Sequence, residues 1–180
     1  AIFASNLTSA QNIDQSRAIA LSNAMIQMFA TTHLSNSDAQ VKMTALIQNV
    51  PEAEIRKTNQ DNIQAFTSPA DSLYATLKEQ FGEADFNILK PAFEHQMTTQ
   101  NSFYKSCKIS GKVAEQQNNL VVPILCQIPD FDMNTLSIPQ RKSRESDAQF
   151  MARSVDTLST SLDKAPKKAF PTHILIHRQD

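Results

Sequence analysis

Cys107 and Cys126 are the only cysteines in this 180-residue chain, and the residues around them restrict how it can fold. Lys108-Ile109-Ser110-Gly111-Lys112-Val113-Ala114 follows the first. Asn119-Leu120-Val121-Val122-Pro123-Ile124-Leu125 precedes the second, and between them lies polar Glu115-Gln116-Gln117-Asn118. The outer segments are rich in β-branched and apolar residues and the centre has turn chemistry, the pattern of a β-hairpin. With the turn centred between Gln116 and Gln117, facing residues have numbers that sum to 233, and Cys107 and Cys126 satisfy this. Directly opposed residues of antiparallel strands lie within disulfide reach. The pair is therefore expected to be a cross-strand disulfide, stabilising the fold by roughly 3 kcal/mol through loop closure. A lasting disulfide implies an oxidising compartment, periplasmic or extracellular. Ala1 is a small residue of the kind left by signal-peptide cleavage, and Asn6-Leu7-Thr8 has the form of a glycosylation sequon.

The second constraint is glycine scarcity. Only Gly82 and Gly111 occur. Dinucleotide-binding turns, phosphate loops and nucleophile elbows each need several glycines, so those chemistries are excluded. A net charge of −1 gives no basic field for nucleic acid. No apolar run is long enough to cross a membrane as a helix.

Apolar spacing predicts helices over 12–33 (Leu21, Ala24, Met25, Met28 and Phe29 on one face), over 37–50 from a capping box at Ser37 and Gln40, and over 52–66 with Ile55, Ile63 and Phe66 inward. Ser68-Pro69-Ala70-Asp71 opens a helix over 69–81, built on Leu73, Leu77 and Phe81 and ended by Gly82 as a left-handed cap. Over 84–100 the helical spacing of Phe86, Leu89, Phe93 and Met97 conflicts with Pro91, which predicts a break there and a second helix beginning at the proline. Strands are expected over 103–114 and 119–128, with Pro123 at an open edge or a bulge. A loop over 129–145, a helix over 146–163 and a strand over 170–178 complete the chain. Strands clustered apart from helices imply an α+β fold: one globular domain over 1–180, with a loose arm at 1–11. Its helical N-terminal half would pack on a small antiparallel sheet made of the stapled hairpin and the C-terminal strand.

Chemistry-bearing residues do not assemble into a motif. His173 and His177 share one face of a strand but stand about 13 Å apart, too far for one metal ion. Asp130-Phe131-Asp132-Met133-Asn134 begins like a calcium loop, but Thr135 and Arg141 occupy the positions that need Gly and Glu. Ser102-Phe103-Tyr104-Lys105 and Ser161-Leu162-Asp163-Lys164 have the Ser-x-x-Lys form without its companion motifs. The acid pairs Glu52/Glu54, Glu83/Asp85 and Asp130/Asp132 read as solvated carboxylates. No catalytic residue, metal or cofactor is assigned.

The leading expectation is a non-enzymatic exported module that binds another envelope or secreted protein. Its contacts would be the hairpin edge and the loop bearing Asp130, Asp132, Arg141, Lys142 and Arg144. The alternatives are a carrier of a small apolar ligand held between the N-terminal helices and the sheet, and a hydrolase with a dispersed His/Asp/Ser site.

Overall fold

The structure, a computed structural model, describes residues 13–31, 37–58, 69–137 and 139–178, without the side chains of Ser37, Pro69 and Met133. The arm expected at 1–11, the Asn6 sequon, His33, Ile63, Phe66, Ser68 and the side chain of the Ser37 cap lie outside these limits.

Among the described residues, five helices and four strands follow one another: α1 (Gln15–Ala30), α2 (Ser37–Gln48), α3 (Glu52–Thr58), α4 (Pro69–Lys105), β1 (Lys108–Ile109), β2 (Ala114–Gln116), β3 (Asn119–Pro129), α5 (Asp147–Lys164) and β4 (Lys167–His177), with a short 3-10 turn at Met133–Thr135. This is the expected α+β arrangement of helices on a small antiparallel sheet.

β3 is central. β1 and β2 pair with one of its sides and β4 with the other along its whole length, all antiparallel. Leu120, Val122, Ile124 and Cys126 alternate inward, as a strand with one packed face requires. They meet Ile174 and Ile176 of β4, Val113, and Leu21, Met25 and Ile26 of α1 in a single apolar cluster. Met25 therefore serves as core.

The disulfide between Cys107 and Cys126 is present, with a Cα separation of 4.0 Å. The register that predicts it differs from expectation, however. The turn is Gln117–Asn118, one residue later than expected, and Gln117 carries the positive φ of 53°. Near the turn, facing residues sum to 235 (Glu115 with Leu120). Beside the cysteines they sum to 233 (Lys108 with Leu125). Residues 110–113 lie opposite Val122 and Pro123 alone, forming a bulge that restores the register matching the cysteines. Pro123 lies opposite this bulge, where its missing N–H interrupts no ladder, and its carbonyl accepts from the Ser110 N–H at 3.0 Å. Gly111 allows the close approach: a Cβ there would lie 3.2 Å from Pro123 Cγ. The strand expected from residue 103 is corrected accordingly, because 103–105 still belong to α4 and pairing starts only at Lys108.

A second correction concerns α4. Gly82, with φ 78° and ψ 168°, divides it into 69–81 and 83–105. This backbone region is open essentially to glycine alone, and it is not the left-handed cap expected. The two parts double back on each other. Tyr74 meets Phe86 edge to face at 5.9 Å, and Lys90 lies 5.7 Å from the Tyr74 ring, separations that one straight helix forbids. Burial, and then the nearby Glu94 and Asp71 charges, push the Tyr74 hydroxyl up to about 12. The expected break at Pro91 does not occur. Pro91 lies on an exposed face, and the carbonyl it deprives of a partner belongs to Asn87, which is itself exposed, so the lost bond is not a buried one.

α2 ends in a Schellman turn. Asn49 adopts φ 58°, the Val50 N–H donates to the Ala45 carbonyl at 3.1 Å, and Val50 packs against the cluster of Val41, Ala45 and Ile55. The Arg17 guanidinium donates to two more terminal carbonyls, those of Leu46 at 2.7 Å and Ile47 at 3.0 Å, and so ties α1 to α2.

Replacing Cys107 and Cys126 together by Ala is expected to lower unfolding stability by about 2–4 kcal/mol while leaving helix content unchanged, as measured by urea unfolding. A loss below about 1 kcal/mol would show that the bulged register holds without its staple.

Candidate functional site

The loop from Asp130 to Ser146 leaves the sheet at Pro129 and enters α5. Its conformation is set by its own polar groups. The Asp130 N–H donates to the Pro166 carbonyl at 2.6 Å, and its carboxylate takes Lys168 Nζ at 2.5 Å. Asp132 turns its carboxylate onto Asn134, accepting from the backbone N–H and from Nδ2 at 2.9 Å each. Its carbonyl receives the Thr135 N–H and hydroxyl. Asp130 and Asp132 thus hold separate parts of the loop and do not converge. The described residues contain no cluster of His, Cys, Asp or Glu able to hold a metal ion.

Glu145 is the centre of the second half. Its carboxylate accepts from Arg153 Nε at 2.9 Å, from an Arg153 terminal nitrogen at 2.7 Å and from the Lys142 N–H at 2.9 Å. The Arg153 pair, then the Lys142 amide, hold the carboxyl down to about 2. Arg153 also donates to the Gln140 carbonyl at 2.9 Å. The Arg141 and Arg153 guanidinium groups flank the Phe150 ring at 5.9 and 5.8 Å, and Arg141 pairs with Asp147. Helix α5 starts in a complete capping box, with Ser146 and Gln149 bonded reciprocally.

Of the residues picked out from the sequence, Arg141, Lys142 and Arg144 therefore come together around Glu145. Arg141 is engaged there, while the Lys142 and Arg144 side chains are exposed. Arg144 is the third residue of a turn closed by the Glu145 N–H and the Lys142 carbonyl at 3.2 Å, and its φ is 65°. An L side chain here takes a conformation that favours glycine, at a cost of about 1–2 kcal/mol. Glu145, Phe150 and Arg153 were not legible, because their meeting depends on how the loop returns to the helix. The Ser146 cap was legible: Ser-Asp-Ala-Gln at 146–149 repeats the tetrad at 37–40.

The loop and the hairpin tip do not adjoin. They lie at opposite ends of β3, about 33 Å apart at the usual rise per residue.

His95 joins α4 to α5. Its Nδ1 lies 2.7 Å from the Asp156 carboxylate and its Nε2 lies 2.9 Å from Asp163. Both nitrogens can donate only in the imidazolium form, and hydrogen bonds to Asp156 and then Asp163 raise its pKa above 6.5. His177 Nδ1 meets Asn119 Oδ1 at 2.8 Å. Among the described residues no histidine is hydrogen-bonded to a serine, threonine or cysteine side chain.

An apolar cavity of about 90 Å³ lies beside the disulfide, lined by Phe103, Tyr104, Ile128 and Phe170. An open cleft of about 580 Å³ lies where α1 meets the α2–α3 corner, beside Arg17, Lys42 and Glu52. No family model, curated protein or solved structure matches the chain.

Two measurements test these contacts. A pKa raised on folding contributes stability that is full below 6.5 and is lost as pH rises through the folded value. Unfolding stability should therefore fall by about 0.5–1 kcal/mol on the alkaline side of that window, and His95→Gln should remove this part of the pH dependence. Glu145→Gln should speed amide exchange at Lys142 with little change in global stability; unaltered exchange would show that the Glu145 contacts do not hold the loop.

Proposed function

We propose that this chain is a non-enzymatic protein-binding module of an oxidising compartment, and that the Asp130–Ser146 loop is its contact surface for an acidic face of another envelope or secreted protein. The observation that carries the reading is Arg144. An exposed basic side chain is held at φ 65° in a turn that is itself tied down by Glu145. Backbone strain of this kind persists where the surroundings impose it, and it concentrates at binding sites. Lys142 adds a second exposed cation, and such heads steer an acidic partner. A loop already ordered loses little conformational entropy on binding. The Cys107–Cys126 disulfide supports the compartment, and no helix among the described residues is long and apolar enough to cross a membrane.

The reading is tested by cross-linking the wild-type chain and its variants in extract from its own source. Arg144→Gly relieves the positive φ, so stability should stay within about 1 kcal/mol of wild type. The yield of a discrete partner adduct should nevertheless fall at least several-fold, and the double reversal Lys142→Glu with Arg144→Glu should abolish it. Reversal of a distant exposed lysine, Lys112→Glu, should not. Equal yields from all four proteins, or no adduct from any, would overturn the reading.

A further inference from the structure

We infer that the outer edge of β4 pairs with the same edge of a second copy of this chain, antiparallel and two-fold about Leu175. This goes beyond the loop reading and does not depend on it, since Leu175 lies about 26 Å along β4 from Lys167, where the strand starts beside that loop.

The phase of the sheet shows which backbone groups face outward. The Ser110 N–H donates to the Pro123 carbonyl, so odd-numbered residues of β3 point toward β1 and β2, and even-numbered ones point toward β4. At the far end the Arg178 N–H donates to the Asn118 carbonyl at 2.8 Å, so even-numbered residues of β4 point back to β3. The N–H and C=O groups of His173, Leu175 and His177 therefore point away from the sheet. Among the described residues no strand pairs with this edge.

The sequence over that stretch is a palindrome, His173-Ile174-Leu175-Ile176-His177. An antiparallel two-fold axis at Leu175 sets His173 opposite His177 of the other copy, Ile174 opposite Ile176, and Leu175 opposite itself. All the facing N–H and C=O groups are then the outward-pointing ones, giving about six hydrogen bonds from three bonded pairs. Ile174 and Ile176, each 1% exposed, lie on the core face, so pairing continues the apolar layer from one copy into the other. Such an isologous interface closes on two copies and leaves neither β4 edge free to take a third.

The features that discourage edge pairing fall at the margin of this stretch. Pro171 occupies an outward-pointing position, where its missing N–H costs no internal bond but denies one to an added strand, and Lys167 and Lys168 lie beyond it. In the two-fold register these lysines pass the end of the partner strand. The five-residue palindrome is the part of the edge left open.

Sedimentation of the full chain with its disulfide intact tests the pairing. The wild type is expected at about 40 kDa, twice the 20.1 kDa chain mass. Leu175→Pro deletes only an outward N–H, as Pro171 already does, and should leave a folded monomer with a dimer dissociation constant raised more than tenfold. Leu175→Cys supplies a register-specific reading that does not rely on that variant folding. Both native cysteines are paired, and the new thiols would face each other at about 5.5 Å between Cα atoms, within disulfide range. Mild oxidation should therefore give a covalent dimer. His173→Cys alone should not, because its two copies would stand about 13 Å apart, whereas His173→Cys mixed with His177→Cys should. A wild type that stays monomeric at high micromolar concentration, a dimer that survives Leu175→Pro, or cross-linking without this register preference would each overturn the proposal. So would an edge occupied by a strand of a different protein.

Discussion

β3 is the strand on which the other elements depend. Among the described residues it is the only strand with neighbours on both sides, and its inward residues Leu120, Val122, Ile124 and Cys126 are all at most 3% exposed. A slip of one residue would turn that set outward and remove the surface on which α1 packs. Two devices oppose the slip. Pairing with β4 runs from Asn119 to Pro129 without interruption. On the other side the disulfide pins the end of the ladder beyond the bulge. The bulge at 110–113 lets a central strand contain Pro123, because the carbonyl and missing N–H of that residue point at the one place where the neighbouring strand is irregular.

The helices attach to this frame in two ways. α1 covers the inner sheet face and carries α2 with it through Arg17. α4 and α5 form a more polar pair that is held by its seam as much as by apolar contact. On α5 only Ala148 and Ser159 are buried, while Met151, Val155, Leu158 and Leu162 are half-covered. His95 between Asp156 and Asp163 matters more in such a seam than it would in a large core, because there is less apolar area to mask a change in its charge. Both helices lead directly into the sheet, α4 into β1 and α5 into β4, so the seam also sets where the strands start.

The loop after β3 shows the same economy. Asp130, Asp132 and Glu145 each satisfy backbone or cationic groups close at hand, so both described parts of the loop are held without glycine. The exposed cations Lys142 and Arg144 are thereby presented from a fixed turn. The palindromic outer edge of β4 lies far from it, toward the other end of the strand.

By itself the sequence determined the local features: the helical stripes, the strand segments, the helix stop at Gly82 and the pairing of Cys107 with Cys126. Each of these depends on periodicity or on residue types within a turn or two. The pairing is instructive, since the expected turn was one residue early and the bulge at Gly111 supplied the compensating shift. Only tertiary structure decided that Pro91 stays inside a helix, because that depends on whether its face meets solvent. It also decided that Gly82 folds α4 back on itself, that His95 meets two aspartates from another helix, and that Glu145 gathers Arg153 to the loop. The loop cations Arg141, Lys142 and Arg144 were legible as a group and the carboxylate that organises them was not. Charge runs are local, whereas an ion pair across a loop exists only once the chain has returned to make it.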